Sequence, residues 1–185
     1  MNRDRESGIL VSVDQKTAFD LVNWDFLFKT LQSFQINDRF FNWIKLFYKP
    51  GLVKSTVMVN GFLCKPFCIF KGLRQGCPLS PLLYIFVAET FCNLVRSDPN
   101  IKGVSLGTEI KLNCYADDIN FFLSDLKSLQ KIFELLNVFS KASGSILNFG
   151  KTRILRIGNF GKLPENFITR EVDKIKIYGI TFNKT

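Results

Sequence analysis

Tyr115-Ala116-Asp117-Asp118 is the stretch on which the reading of this chain turns. Two adjacent acids stand between an apolar run (Ile110, Leu112, Cys114) and a second one (Ile119, Phe121, Phe122). Both flanks carry the alternation of short strands, which puts the acids at the tip of a β-hairpin. Paired carboxylates beside an apolar core repel each other unless a cation lies between them. A solvated Asp-Asp turn would satisfy the same pattern. The catalytic reading gains weight from a further acid, Asp14, at the end of another strand-like run, Gly8 to Val13.

Working outward, Gln15 to Asp20 turns toward a helix for which Asn23 is the N-cap, with Trp24, Leu27, Phe28 and Leu31 on one face. A second helix begins at Asp38, spaces Phe41, Ile44 and Phe47 or Tyr48 at helical intervals, and stops at Pro50-Gly51. Asn60-Gly61 between Thr56–Val59 and Phe62–Cys64 is a two-residue hairpin signal. In the loop from Lys71 to Pro81, Ser80 is placed to cap and Pro81 to open a helix running from Leu82 to about Arg96. That helix is expected to bury Leu83, Phe86, Val87, Phe91 and Leu94. Another helix spans about Leu126 to Lys141, with Leu129, Ile132, Phe133, Leu136 and Phe139 inward and Gly144 at its C-terminus. Arg153 to Ile157 reads as a strand, Gly158 to Asn166 as a looser connection, and Ile175 to Phe182 as a last strand. A few strands alternating with long helices indicate an α+β fold, an antiparallel sheet with helices packed on one face.

The bulk composition narrows the function classes. A net charge of +9 favours polyanionic partners such as nucleic acid. Five cysteines without a CxxC pair, and no histidine, disfavour a disulfide frame and a zinc site and suit a reducing, intracellular compartment. The charged start, Met1 to Glu6, has no signal-peptide character, and no apolar run is read as long enough to span a bilayer. Membrane partners are therefore not expected.

Asp14 and Asp117 explain each other chemically. Strand ends that meet in one sheet can bring carboxylates within reach of shared ions. Mg²⁺ prefers one or two carboxylates completed by water and substrate phosphate. Two such ions can serve an in-line displacement at phosphorus with no histidine or cysteine. Nothing in the chain supplies a nucleophile-and-base dyad, so phosphoryl transfer is the better fit.

Three ordered motifs, Asp14-x-x-x-Ala18-Phe19-Asp20, Arg74-Gln75-Gly76-Cys77-Pro78-Leu79-Ser80-Pro81 and Tyr115-Ala116-Asp117-Asp118, resemble those of reverse transcriptases. The likeness is greatest to the non-LTR (LINE-type) retrotransposon branch, and it runs from about Gly8 to Phe182. Gly144, Asn148 and Lys151-Thr152 resemble a fourth motif, and Tyr178-Gly179-Ile180 resembles the primer-grip segment. The resemblance implies a palm with a ferredoxin-like (RNA-recognition-motif-like) sheet. Residues 8–157 would be its catalytic core and 158–185 a connection and primer-grip-like strand, with fingers and thumb largely absent from the chain. It implies an RNA-directed DNA polymerase that joins deoxynucleotides to a primer 3′-hydroxyl, with an RNA template, a DNA primer and two Mg²⁺ or Mn²⁺ ions.

By the same resemblance, Asp14, Asp117, Asp118 and the backbone carbonyl of Gln15 ligate the metal ions, and Lys151 protonates the leaving pyrophosphate. The amides near Thr17 and Ala18 approach the nucleotide phosphates. Phe19 crowds a ribose 2′-hydroxyl, Gln75 touches the incoming nucleotide, and Gly76 allows close approach of the base pair. Arg74, Tyr178 and Gly179 serve template and primer. Several of these residues have plainer readings as well. Asp20 can cap or pair locally, and Arg74 can hold its loop by a salt bridge. Cys77 packs without reason to react. Lys65, Lys71 and Arg74, interleaved with Phe62, Phe67 and Phe70, can track a template or form a solvated hairpin edge. Two alternatives stand beside the polymerase: an inactive or co-opted retrotransposon remnant that folds and binds nucleic acid, and a group II intron maturase-type palm. An RNA-directed RNA polymerase fits poorly, because Phe19 occupies the space a 2′-hydroxyl needs.

Overall fold

A computed structural model of the chain describes residues 7–158, 163 and 169–184. The β-branched run at the start forms strand β1 (Gly8–Val13), the central strand of a five-stranded sheet. After it come β2 (Gln15–Lys16), α1 (Trp24–Ser33) and α2 (Asp38–Phe47). A series of two-residue strands follows, β3 (Lys54–Ser55), β4 (Met58–Val59), β5 (Phe62–Leu63) and β6 (Phe67–Cys68), leading to the long helix α3 (Leu79–Ser97). Next are β7 (Val104–Leu106), β8 (Thr108–Ile110), β9 (Leu112–Tyr115), β10 (Asp118–Leu123) and α4 (Leu126–Ser143). The chain continues with β11 (Ile146–Leu147), β12 (Arg153–Ile157), β13 (Arg170–Glu171), β14 (Lys174–Ile177) and β15 (Ile180–Asn183).

The main sheet has the order β13-β12-β1-β10-β9, antiparallel throughout except where β12 and β13 run parallel. Its two faces follow from the period-2 alternation of side chains. Ile9, Val11, Val13, Ile119, Phe121, Leu123 and Ile154 point into a core shared with Leu27 and Leu31 of α1, Leu83, Val87 and Phe91 of α3, and Leu129, Ile132 and Leu136 of α4. Burial of each such side chain contributes about 1.5–3 kcal/mol, so this layer dominates the stability. Leu10 and Leu155 point the other way and meet Ile175 and Ile177 of β14, with Phe122, Ile157 and Phe182 at the margin. The expectation of helices on one face therefore holds, and the opposite face carries a β-hairpin that the sequence reading did not foresee.

That hairpin corrects the single strand expected over Ile175 to Phe182. Strands β14 and β15 pair antiparallel about a two-residue turn, Tyr178-Gly179, with φ of +48° and +86°. Positive φ at both central residues is what a type I′ hairpin needs. The signal is weak in the sequence because tyrosine is a rare occupant of that position. Most of the expected connection from Gly158 to Asn166 lies outside the described residues.

Helix starts were largely legible. Asn23 Oδ1 accepts from the amides of Asp25 (2.8 Å) and Phe26 (3.2 Å), as an N-cap should. Gly144 ends α4 in the left-handed conformation, against the backbone of Leu21. Helix α3 departs from expectation at its start. It begins at Leu79, with Pro78 at the cap position, so Ser80 is a buried residue of the first turn and caps nothing. Its inward stripe takes Val95 in place of Leu94, which is exposed. At 19 residues α3 is also long and apolar enough to cross a membrane by length and composition, contrary to the reading of no such run. Here it is the central helix of the core, with eight of its side chains buried.

Candidate active site

The register of β1 against β10 brings the acids together. Val13 faces Ile119, so Asp14, one residue beyond, lies beside Asp118 at the start of β10. Strands β9 and β10 pair Tyr115 with Asp118, leaving Ala116 and Asp117 as the two-residue turn. Ala116 adopts φ +53°, the sense of backbone that mirror-image hairpin turns require at this position. Asp14, Asp117 and Asp118 thus lie at the same end of the two neighbouring strands β1 and β10. Burial holds the Asp118 carboxyl above the usual carboxylate range, and the charges of Asp117 and Asp14 push it further.

A second strap fixes Asp14. Its backbone carbonyl accepts from the Asn148 amide at 2.9 Å, and its Oδ2 accepts from Asn148 Nδ2 at 3.0 Å. The turn after Asn148 is closed by Lys151 and Thr152, whose amides both donate to the Asn148 carbonyl. This delivers Lys151 Nζ to 3.6 Å from Asp14 Oδ2. Gln15 lies in β2, paired with Leu147 of β11, and its buried side chain accepts from the Tyr84 hydroxyl at 3.0 Å. Tyr84 also stacks on the ring of Phe19, with centroids 4.9 Å apart. Sequence reasoning missed Tyr84, which reads there as one more apolar position of a core helix.

The Arg74-to-Pro81 loop is laced to the segment after Asp14. The Leu73 amide donates to Phe19 O at 2.6 Å and the Gly72 amide to Val22 O at 2.8 Å. Gly72 has φ +88°, and a Cβ there would fall 2.6 Å from the Asp20 carbonyl, so only glycine fits. Gln75 Nε2 donates to Asp20 Oδ1 at 2.9 Å. Asp20, read as capping or pairing locally, instead bonds a residue 55 positions away in the sequence, the one expected to touch the nucleotide.

Between the two segments lies a cavity of about 620 Å³ lined by Thr17, Ala18, Phe19, Gln75, Gly76 and Asp117, among others. Every residue expected around the nucleotide lines it except Gln15, which sits behind Phe19 and Tyr84. A larger space of about 890 Å³ opens on the far side of the same loop, beside Trp24, Tyr48, Lys71 and Arg74, and it includes none of Asp14, Asp117 and Asp118. Arg74 lines both and makes no salt bridge among the described residues, so the loop-holding ion pair is not seen. Cys77 sits in the same wall. The amide of Leu79 holds its thiol below the usual range, so it is a more ionisable group than the sequence reading allowed.

Tyr178 stands beside the Ala116-Asp117 turn. Its ring meets that of Tyr115 edge-on at 5.8 Å, and its hydroxyl accepts from Asn120 Nδ2 at 3.4 Å. Asn120 lies two residues past Asp118 on the same face of β10, and its Oδ1 is buried without a partner among the described residues. Phe62, Phe67 and Phe70 are exposed beside Lys65 and Lys71 on the short hairpins before the loop.

Among the described residues, no group of three His, Cys, Asp or Glu side chains is close enough to hold a metal by itself. An open set of mutually repelling carboxylates suits Mg²⁺ or Mn²⁺, which keep water and phosphate oxygens in their coordination.

The family described as reverse transcriptase (RNA-dependent DNA polymerase) matches residues 1–182. The chain is 33% identical over 186 residues to the transposon TX1 uncharacterized 149 kDa protein of Xenopus laevis, covering 95% of this chain and 14% of that protein. It is 27% identical over 160 residues to a retrovirus-related Pol polyprotein from a type-1 retrotransposable element R2 of Popillia japonica, covering 85% of this chain and 22% of the other. Among solved structures, telomerase from Candida tropicalis, in complex with a fragment of telomeric RNA, superposes with a TM-score of 0.72 at 14% identity. That match covers 98% of this chain and 29% of the telomerase chain. At that identity the match concerns the fold alone.

Proposed function

The chain belongs to the reverse transcriptase family, in its non-LTR retrotransposon branch, and we propose that it is the palm of an RNA-directed DNA polymerase. It spans less than a quarter of the length of the retrotransposon relatives above, so the reading concerns the polymerising centre. Residues 8–157 form its catalytic core on a ferredoxin-like sheet, and the hairpin of β14 and β15 is its primer grip. The substrates are deoxynucleoside triphosphates, a DNA primer and an RNA template.

In this reading Asp14, Asp117, Asp118 and the Gln15 carbonyl hold two Mg²⁺ or Mn²⁺ ions. When bound, such ions stabilise charge on the attacking and departing oxygens. The chain's own residues do the rest. The amides near Thr17 and Ala18 face the cavity and receive the phosphates. Phe19, backed by the Tyr84 ring, fills the space beside the sugar and rejects a 2′-hydroxyl by collision. Gln75, oriented by Asp20, meets the nucleotide, and Lys151 gives a proton to the departing pyrophosphate. Tyr178 and Gly179 support the primer end next to the catalytic turn, and Arg74 meets the template.

The observation that carries the reading is the register that sets Asp14 beside Asp118, with Asp117 of the adjoining turn lining the cavity. Its test is primer extension on an RNA template with Mg²⁺. Product from the wild type that is lost in Asp117→Asn supports the polymerase, and a folded wild type that extends no primer supports the remnant. The tetrapeptide alone would also suit a maturase-type palm.

A further inference from the structure

Two hairpin turns lie side by side at the acid-bearing end of the sheet, and each holds a non-glycine residue in the left-handed region, Ala116 at φ +53° and Tyr178 at φ +48°. The apolar seat of the β14–β15 hairpin lies further along, where Ile175 and Ile177 pack with Leu10 and Leu155. At its turn the hairpin reaches the sheet through Tyr178, whose ring meets Tyr115 edge-on and whose hydroxyl accepts from Asn120 Nδ2 at 3.4 Å. Asn120 stands on β10 between Ile119 and Phe121, which both point into the helical core, so its own side chain faces the hairpin. Its register partners are Ser12 of β1 and Asn113 of β9, which makes a polar row under the turn. The next pair on that face, Leu10 and Phe122, is apolar.

Both partners of this hydrogen bond are locally unfavourable where they stand. Asn120 is 2% exposed and its Oδ1 has no partner among the described residues, so an apolar side chain of similar size would be the more stable occupant. Tyr178 sits at a turn position that glycine or asparagine fills with less strain. What the pair achieves is a fixed hydroxyl. With the Asn120 amide donating to its oxygen, the Tyr178 proton points away from Asn120, and it finds no acceptor among the described residues. We propose that Asn120 is a positioning residue for the primer: it holds the Tyr178 hydroxyl, and with it the Tyr178-Gly179 turn, beside the Ala116-Asp117 turn, so that the hydroxyl proton is offered to the primer strand. At its burial Asn120 reaches no substrate and acts only through Tyr178. That the bound strand is a primer rests on the polymerase reading above; the coupling of Asn120 to Tyr178 does not.

The test titrates a fluorescein-labelled DNA primer, annealed to an RNA template, with the full chain and reads Kd by anisotropy. Tyr178→Phe removes the hydroxyl and keeps the ring against Tyr115, and Asn120→Leu removes the donor together with the unpartnered oxygen. Each is expected to raise Kd about 3–10-fold, the size of one hydrogen bond, and the double variant to raise it no further. Asn120→Leu should unfold at no lower temperature than the wild type, so its lost affinity is not lost fold. If it does not fold, Asn120→Ala takes its place. In primer extension the KM for the hybrid should rise in both variants while the nucleotide KM is unchanged, a split that general loosening of the fold would not produce. Unchanged affinity in the Asn120 variant, losses that add in the double variant, or a wild type that binds no hybrid overturns the proposal. A wild type that shows the coupled losses but extends no primer removes the polymerase and leaves the positioning role standing. A wild type that extends primer, with the Asn120 variant indistinguishable from it in Kd and KM, does the reverse.

Discussion

Lys151 Nζ stands 3.6 Å from Asp14 Oδ2, the same oxygen that accepts from Asn148 Nδ2. The first acid of the site is thus held by a neutral amide on a short bond and by a cation on a longer one. The lysine side chain is 69% exposed, so the pair adds little to stability. It does put a mobile positive charge where a divalent ion is proposed to bind. The lysine must leave Asp14 to reach a departing pyrophosphate, and its exposed stem permits that.

Removing this charge should separate binding from turnover. Lys151→Met is expected to bind Mn²⁺ somewhat more tightly in the absence of nucleotide. Single-turnover incorporation should fall by about 10²–10⁴-fold, the usual loss when a general acid is removed. Calorimetry and rapid-quench kinetics on the same preparation check both halves. Unchanged incorporation would remove the proton-donor role.

The acids should leave a mark on the pH dependence of stability. Asp118 binds its proton more tightly in the folded chain than an ordinary aspartate does, chiefly through burial and then through Asp117 and Asp14. Between the ordinary aspartate range and this raised value the folded state holds more protons than the unfolded one, so stability falls as pH rises through that window and is flat above it. In metal-free buffer, Asp118→Asn is expected to lose that part of the slope and to be slightly more stable at neutral pH. Urea unfolding from pH 4 to 7, with and without the substitution, measures it.

Gly72 and Gly76 make a controlled comparison within one loop. Both have positive φ, but a Cβ at Gly72 meets the Asp20 carbonyl, and one at Gly76 meets nothing within 4 Å. Gly76→Ala should cost about 1–2 kcal/mol from backbone strain alone. Gly72→Ala should cost more and weaken nucleotide binding, because the loop must move off the segment after Asp14. Thermal unfolding and the nucleotide KM read the two effects separately.

Asp20 should act through Gln75. Asp20→Ala removes the acceptor that fixes the Gln75 amide, so the nucleotide KM is expected to rise with kcat little changed. Gln75→Ala should show the same pattern, and the double variant should add little to either. Additive effects would mean that the two residues act independently.

The strands and turn that carry the acids were legible in the sequence because their parts are local. A β-branched run ending in Asp14, alternating runs around Asp117-Asp118, and Asn23 before an amphipathic stretch each specify their own geometry. What remained hidden depends on contacts between distant segments. Asn148 reaches Asp14 only through the β2–β11 pairing, and Tyr84 reaches Gln15 and Phe19 only because α3 crosses beneath them. The Ser80 cap failed because the helix starts earlier, at Leu79, which places the serine in the first turn. The turn at Tyr178-Gly179 was missed because tyrosine is a rare occupant of a positive-φ turn position, although the alternation of Ile175 and Ile177 slips phase to Ile180 and Phe182 across it.

The central claim is that Asp14 and the Asp117-Asp118 turn bind divalent ions together. Calorimetric titration of the folded chain with Mn²⁺, comparing wild type, Asp14→Ala and Asp117→Ala, tests it most directly. The account predicts that either substitution abolishes the binding heat while the chain stays folded by circular dichroism. Unchanged affinity in Asp14→Ala would contradict it.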